Sequence, residues 1–430
     1  MERELTPRGR ALFGLQHLFA MFGATILVPL ISGLSVQVTL VGVGLGTLIF
    51  HFTSGLRKAP PVFLGSSFAF LVGMGLITNP DIGIFAGTGM AQIEKLSYAT
   101  GGILVAGFLY FVLAMLIKTV GVTTFMKYLP TVVTAPTVIL IGVMLAPFAI
   151  SQSANNLFLA VTTLVIIIVV AVYAKGMLKI IPILIGIGGA YMVALIMHFG
   201  FGITNANGTA LLEFGRAGTD IFGVPPFMWP QFHPVAILVM VPFALATIAE
   251  HIADMVILKR ISGNDYINDP GLPRTLVGDG LSTCFSGLIG APATTTYSEN
   301  VGVVTLTKVF DPRVLRLAAI YAVVLGFSPL FASLIYSIPT AVIGGASFIL
   351  YGMIAAVGIR NLVDDKVDLS DMKNCIIVAV MLVIGLGLRF GPTITFSMSG
   401  INVPVDRLGV VIAVVLGIIL NAVLPNEKNK

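Results

Sequence analysis

Apolar residues in this sequence neither alternate along strands nor recur on one helical face; they fill whole blocks. The blocks run 11–33, 38–55, 60–78, 98–118, 129–149, 157–174 and 178–199. After a polar stretch at 201–233 come 234–258, 274–290, 292–308, 313–334, 338–358, 373–388 and 406–424. Their lengths bracket the roughly 20 residues that carry an α-helix through a hydrocarbon core. In lipid the backbone must satisfy itself, and for single segments of this length that means helices. The pattern predicts an all-α polytopic membrane protein with fourteen transmembrane segments in two sets of seven. Seven is odd, so the second set enters from the opposite side, giving a seven-plus-seven inverted repeat. Leu129-Pro130-Thr131-Val132-Val133 and Ile338-Pro339-Thr340-Ala341-Val342, each opening the fifth segment of its set, fit that repeat.

The third member of each set breaks the helical pattern. Pro60-Pro61-Val62-Phe63-Leu64 precedes Gly65-Ser66-Ser67 and only about a dozen apolar residues, a half-helix of roughly 18 Å at 1.5 Å per residue. Its counterpart, Ala293 to Lys308, starts with β-branched Thr294, Thr295 and Thr296, turns polar at Ser298, Glu299 and Asn300, and then becomes helical. The extended pieces, 61–64 and 293–297, leave backbone groups that lipid cannot satisfy. Two short antiparallel strands pairing these broken third and tenth segments inside the protein solve that problem. Ser66 or Ser67, and Ser298, are placed to cap the half-helices, whose N-termini then converge near the midplane. Broken segments in matching positions of two repeats are the sequence mark of a transporter's binding site.

Composition agrees with a lipid solvent: the chain is 57% hydrophobic and 10% charged, against about 25% charged in soluble chains. A net charge of +5 does not point to nucleic acid, because the basic residues lie between the apolar blocks. With the N-terminus inside, 20 of the 24 Lys and Arg fall in loops on that side, leaving only Lys95, Arg216, Arg389 and Arg407 outside. The positive-inside rule then puts both termini in the cytoplasm. The first block is too long for the apolar stretch of a signal peptide and is expected to stay as a membrane helix. Cys284 and Cys375 sit in apolar surroundings, so neither a disulfide framework nor a metal site is indicated.

Acids inside such segments are costly, roughly 2.5–3.5 kcal/mol each on insertion scales, and mark function by default. Glu250 and Asp254, four apart in the eighth segment, share a helix face. Glu299 opens the half-helix of the tenth; favourable interaction with the helix dipole, up to about 1 kcal/mol, does not repay its burial. Asp279, flanked by Gly278 and Gly280 in the ninth segment, reads equally as a structural residue or a helper. Gln16 and His17 lie in the first segment, which the repeat matches to the eighth, and Phe68, Tyr297 and Tyr351 are aromatics near the broken segments or the gate. No Lys or Arg falls within a span near the broken segments. Acids without a basic partner suit a ligand that brings N–H donors or positive charge, and do not suit an anion. Desolvation favours the neutral form of a carboxylic acid, so Glu250, Asp254 and Glu299 are candidate proton carriers, with no cofactor beyond the proton itself.

Four motifs, in order, carry a family resemblance. Gly14-Leu15-Gln16-His17-Leu18-Phe19-Ala20-Met21-Phe22-Gly23-Ala24-Thr25 resembles the opening helix of the nucleobase/ascorbate transporter family, the nucleobase:cation symporters, in its uracil-type members. Gly65-Ser66-Ser67-Phe68-Ala69-Phe70 resembles the family's third segment and Ala249-Glu250-His251-Ile252 its eighth. Thr296-Tyr297-Ser298-Glu299-Asn300-Val301-Gly302, continuing to Thr307-Lys308, resembles the family signature. The resemblance covers essentially the whole chain. It implies a core domain from residues 1–120 and 234–335, a gate domain from 121–200 and 336–430, an extracellular loop at 201–233, and a dimer. It further implies that Glu250 and Glu299 bond the edge of a base, Phe68 stacks on its face, and the backbone at Tyr297 and Ser298 adds contacts. Tyr351 approaches from the gate, and Ser67, Asn300 and His17 support the site. The activity implied is proton symport into the cell across the cytoplasmic membrane.

Two positions depart from the uracil-type pattern: Asp254 stands where a His is usual, and Ser298 replaces a Gly. Asp at the first of these is common in purine carriers. Glu299 and the flanking Thr294-Thr295-Thr296-Tyr297 are of the uracil type. Uracil is therefore the expected substrate, with xanthine or another purine base as the alternative. A passive channel or an anion carrier on the same fold predicts a continuous polar pore or a basic pocket residue. A membrane-embedded enzyme needs a nucleophile–base pair, and His251 beside Glu250 is the nearest approach; adjacent helix positions do not face one another.

Overall fold

The computed structural model describes residues 5–80, 83–128, 130–179, 181–392, 394–398 and 401–425. Arg3, Leu129, Lys428 and Lys430, used above in the charge asymmetry and the repeat motif, lie outside the described residues. The chain opens with α1 (Pro7–Ser32) and α2 (Val36–Thr53), then strand β1 (Leu64–Ser66) and the short α3 (Ala69–Thr78). Next come α4 (Gln92–Val120), α5 (Val122–Tyr128), α6 (Thr131–Ser153), α7 (Leu157–Tyr173) and α8 (Pro182–Leu195). After the polar loop follow α9 (Pro234–Met240), α10 (Phe243–Ser262), α11 (Leu272–Ile289), strand β2 (Thr294–Thr296) and the short α12 (Ser298–Thr307). The remainder is α13 (Pro312–Gly326), α14 (Pro329–Tyr336), α15 (Thr340–Asp364), α16 (Met372–Phe390), the hairpin β3 (Thr395–Met398) and β4 (Ile401–Pro404), and α17 (Gly409–Val423).

Helix ends follow local chemistry. Thr6, Ser35, Asn156, Asp311 and Asp371 each accept a first-turn N–H, and Gly33, Gly263 and Gly290 end helices in the left-handed conformation, which costs glycine nothing. Among the described residues, eight helical stretches are long and apolar enough to cross a membrane, α9 and α10 counting together as one. α13 and α14 make a ninth if joined, but they meet at 86°. The block 313–334, expected as one segment, is thus two helices. The reason is Pro329: it holds Ser328 extended at φ −107°, ψ 103°, and Ser328 then caps α14. The short α5 and the hairpin β3–β4 (Phe396 opposite Val403) were outside the hydropathy reading, because neither makes a long apolar block.

Packing is uneven along the chain. α4 packs along α11, α2 along α13 and α11, and α1 along α13; elsewhere α6 packs along α15 and α16, and α7 along α8 and α15. Small residues set the close crossings. An added Cβ at Gly142 of α6 would meet the α15 backbone at Tyr351, and one at Gly107 of α4 would meet Cys284 of α11. Between these two groups of helices the contacts are few, chiefly α1 with α8 and α6 with α3 and α10. The ribbon of β1 and β2 lies among α1, α2, α10 and α11.

Candidate functional site

The two strands run antiparallel, with Leu64 opposite Thr296, Gly65 opposite Thr295 and Ser66 opposite Thr294. Two flanking bonds lengthen the ribbon: Ser67 N–H donates to Ala293 O at 2.8 Å, and Tyr297 N–H to Phe63 O at 3.0 Å. The outer edges are satisfied by neighbouring helices. Thr47 of α2 accepts from Leu64 N–H at 2.9 Å, and His51, one turn on, reaches Val62 O at 2.9 Å. On the other side Thr283 of α11 donates to Thr294 O at 3.1 Å, and Ser282 Oγ lies 2.7 Å from Thr294 Oγ1. All but the last of these, a contact between two side chains, help meet the demand that buried backbone be paired.

Tyr297 locks the ribbon. Its hydroxyl donates to Ser66 O at 2.8 Å, and its ring covers Gly65 so closely that an added Cβ there would lie 2.2 Å from Cζ. Its carbonyl already accepts from Asn300 and Val301. Side chain and backbone alike are committed, so Tyr297 serves as a strut. The expected serine caps are also corrected. The N-cap positions of α3 and α12 are Phe68 and Tyr297, and neither helix has a side-chain cap bond. The serine hydroxyls are spent elsewhere: Ser66 donates to Thr25 O at 3.0 Å and Ser298 to Asp254 at 2.9 Å. Ser67 Oγ is buried with no hydrogen-bond partner. No N-cap side chain bonds the first turn of either half-helix, where the N–H groups of Leu71 and Asn300 turn back to the carbonyls of Phe68 and Tyr297; a helix N-terminus in this state favours a polar or anionic ligand group.

α10 runs beside this junction and presents its acids to it. Thr295 Oγ1 donates to Glu250 Oε2 at 3.3 Å, and Ser298 Oγ to Asp254 Oδ1. Asp254 is 1% exposed, and its Oδ2 has no hydrogen-bond partner. Glu250 and Ser298, by contrast, are exposed, and Glu299 and Phe68 are half-buried. Glu250, Ser298 and Glu299 are thus polar groups with access, next to buried neighbours. Glu299 also lines a crevice of about 20 Å³ between α1 and the start of α8, which holds little more than a water. None of the ion pairs among the described residues involves Glu250, Asp254 or Glu299.

Asn300, one residue further along α12, reaches across to α1: its Nδ2 lies 3.0 Å from His17 Nδ1 and donates to His17 O at 3.1 Å. Tyr351 is 2% exposed on α15, and no hydrogen bond among the described residues joins it to the acids. The pair that sequence reasoning left unassigned is His251 with Asp279. Nδ1 and Oδ2 are 3.1 Å apart with both side chains fully buried, and Nε2 lies 3.0 Å from Thr275 Oγ1. His251 thus faces away from Glu250, towards α11. The signal was two buried polar residues on consecutive predicted segments, yet nothing in the spacing says they meet.

Comparison with known proteins follows from this geometry. Residues 8–394 match a family described as the permease family. The chain is 38% identical to the uracil permease of Bacillus subtilis (strain 168), over 99% of this chain and 94% of the relative. It is 38% identical to the uracil permease of Bacillus caldolyticus, over 96% and 91%, and 33% identical to that of Escherichia coli (strain K12), over 95% and 90%. Among solved structures, the transmembrane domain of the cyanobacterial bicarbonate transporter BicA superposes with a TM-score of 0.60 at 17% identity, covering 98% of both chains. The murine Solute Carrier 26 family member A9, an anion transporter, superposes with a TM-score of 0.66 at 12% identity, covering 98% of this chain and 69% of that one. At such identities these two speak for the fold alone.

Proposed function

The chain belongs to the permease family whose bacterial members include the uracil permeases, a family of multi-pass membrane transporters and not of enzymes, and we propose that it imports a nucleobase, uracil first, together with a proton. The observation that carries this reading is the junction itself. Two acids with no basic partner, Glu250 and Glu299, stand at the open side of the uncapped N-terminus of α12. A planar ring with N–H groups satisfies the carboxylates, its carbonyl oxygens accept from the first-turn N–H groups, and Phe68 offers a face for stacking. An anion would meet two like charges at the same place. Sharing a fold with anion transporters therefore says nothing of the cargo.

The proposed cycle is alternating access between a core (1–120 and 234–335) and a gate (121–200 and 336–430), built from fourteen segments in two inverted sevens. The sparse contacts of α1 with α8 and of α6 with α3 and α10 suit two bodies that shift, and the water-sized crevice at Glu299 has to widen to admit a ring. Protonation of an acid on the outer side accompanies binding, and release inside gives both back. The proposed setting is the cytoplasmic membrane, with both termini inside and the protein a dimer surrounded by lipid. A purine base such as xanthine is the second reading, because Asp254 stands where the resemblance expects His and Asp there is common in purine carriers. The test is uptake of labelled uracil into cells expressing the protein, with unlabelled xanthine as competitor and a protonophore added. Uptake that uracil but not xanthine competes away, and that collapses with the protonophore, supports the proposal. Uptake unaffected by protonophore removes the proton, and preference for xanthine moves the cargo to the second reading.

A further inference from the structure

We infer that the Ser298 hydroxyl reverses its hydrogen-bond polarity with the proton state of Asp254, and so links proton uptake to recognition of a ligand carbonyl. Ser298 is the first residue of α12 yet does not cap it; its Oγ donates to Asp254 Oδ1 at 2.9 Å on the neighbouring α10. The two partners differ in access: Ser298 is exposed to the open side of the site, whereas Asp254 is 1% exposed behind it. A serine hydroxyl has one proton to give and two lone pairs to receive. While Asp254 is ionised it can only accept, so the serine proton is committed inward and a lone pair faces the ligand. When Asp254 takes a proton from water on the open side, its new O–H donates to Ser298 Oγ. The serine proton is then free to turn outward, to a carbonyl oxygen of the ligand. The second carboxylate oxygen, Oδ2, is buried without a hydrogen-bond partner, and the other hydroxyl beside Asp254, that of Thr296 on β2, is fully buried and has no access to the open side.

The groups facing Asp254 are Glu250 and His251 on its own helix, Asp279 on α11 and Glu299 on α12. None is a Lys or Arg, and since Thr296 is fully buried, Ser298 is the exposed donor through which the inner acid meets the site. A ligand and a proton that each favour the same arrangement raise one another's affinity by the same factor. This device presupposes the nucleobase reading above, and gives it a residue through which the proton is felt.

The experiment is equilibrium binding of labelled uracil to the purified full-length protein at pH 6 and pH 8, for the native chain and for Ser298→Ala, Ser298→Thr and Asp254→Asn. The native chain is expected to bind at least about fivefold more tightly at pH 6, the lower end of typical coupling. Ser298→Thr keeps the hydroxyl and keeps that ratio. Asp254→Asn, whose amide N–H stands in for the protonated acid, binds at pH 8 nearly as well as the native chain at pH 6. Ser298→Ala loses most of the ratio while still binding. A native ratio retained in Ser298→Ala overturns the inference, as does loss of the ratio in Ser298→Thr with its melting temperature intact. If the native chain binds no uracil or xanthine at either pH, the nucleobase reading itself has failed, a result distinct from either.

Discussion

Gly65→Ala is the sharpest test of the ribbon. An added Cβ would sit 2.2 Å from Tyr297 Cζ, 2.3 Å from Cε2 and 2.5 Å from Cε1, where carbon atoms ordinarily touch at about 3.5–4.0 Å. The shortfall exceeds about 1 Å, and neither side has room to yield. Gly65 is held in register opposite Thr295, and the ring is 3% exposed and anchored by its hydroxyl to Ser66 O. Overpacking costs about 1–3 kcal/mol, and swinging the ring away forfeits a hydrogen bond of about 0.5–1.5 kcal/mol. The expected loss is therefore about 2–4 kcal/mol, read as thermal destabilisation of the purified protein and as weakened uracil binding, because Ser298 and Glu299 follow Tyr297 directly. Tyr297→Phe removes the bond alone and should cost about 1 kcal/mol. Adding Tyr297→Ala to Gly65→Ala relieves the clash, so the double variant should be less damaged than the two singles predict by about 0.5–3 kcal/mol. A Gly65→Ala variant with native stability and binding, or strict additivity in the double variant, refutes this account of the ribbon.

Asn300→Ala removes both bonds to His17 and leaves a buried ring nitrogen without its partner, while the His17 carbonyl keeps its bond within α1; the loss is about 1–3 kcal/mol, and transport at high substrate should fall together with melting temperature. His251 and Asp279, fully buried together, should behave as a pair: removing either alone costs about 3–5 kcal/mol, and replacing both with apolar residues costs less than the singles combined. Asp265 lies in the loop after α10, where Lys259, then the Asn268 amide, hold its carboxyl below the ordinary carboxylate range. A depressed value in the folded state stabilises above the ordinary Asp value of about 3.9 and fades as pH falls through the lower folded one. Asp265→Asn should accordingly lower the melting temperature slightly at neutral pH and converge with the native chain below about pH 4, flattening the acid limb of the profile.

Much of this was legible in the sequence because lipid leaves few choices. A block apolar all round reads as a helix, and the exceptions, Pro60 to Ser67 and Pro292 to Asn300, stood out because their backbone needed a partner. Of the extended stretch anticipated at 61–64, Phe63 pairs through its carbonyl and the strand proper starts at Leu64. Glu250 and Glu299 stand out in the sequence as acids inside apolar blocks, and Asn300 and His17 do meet. Three-dimensional choices were not legible. Whether Ser298 caps its own helix or reaches to Asp254 depends on where α10 lies, and whether Tyr297 faces the ligand or Gly65 depends on strand register. Hydropathy likewise sees the apolar block around Pro329 and misses the bend that Pro329 imposes.

The central claim is that Glu250 and Glu299 hold a small ring bearing N–H groups. Binding of labelled uracil to the purified protein, compared with Glu250→Gln and Glu299→Gln at constant pH, tests it most directly. Replacing a charged acceptor by an amide forfeits a hydrogen bond of about 1.5–3 kcal/mol, so each variant should bind about tenfold to 150-fold more weakly while melting as the native chain does. Native affinity in both variants would contradict the claim.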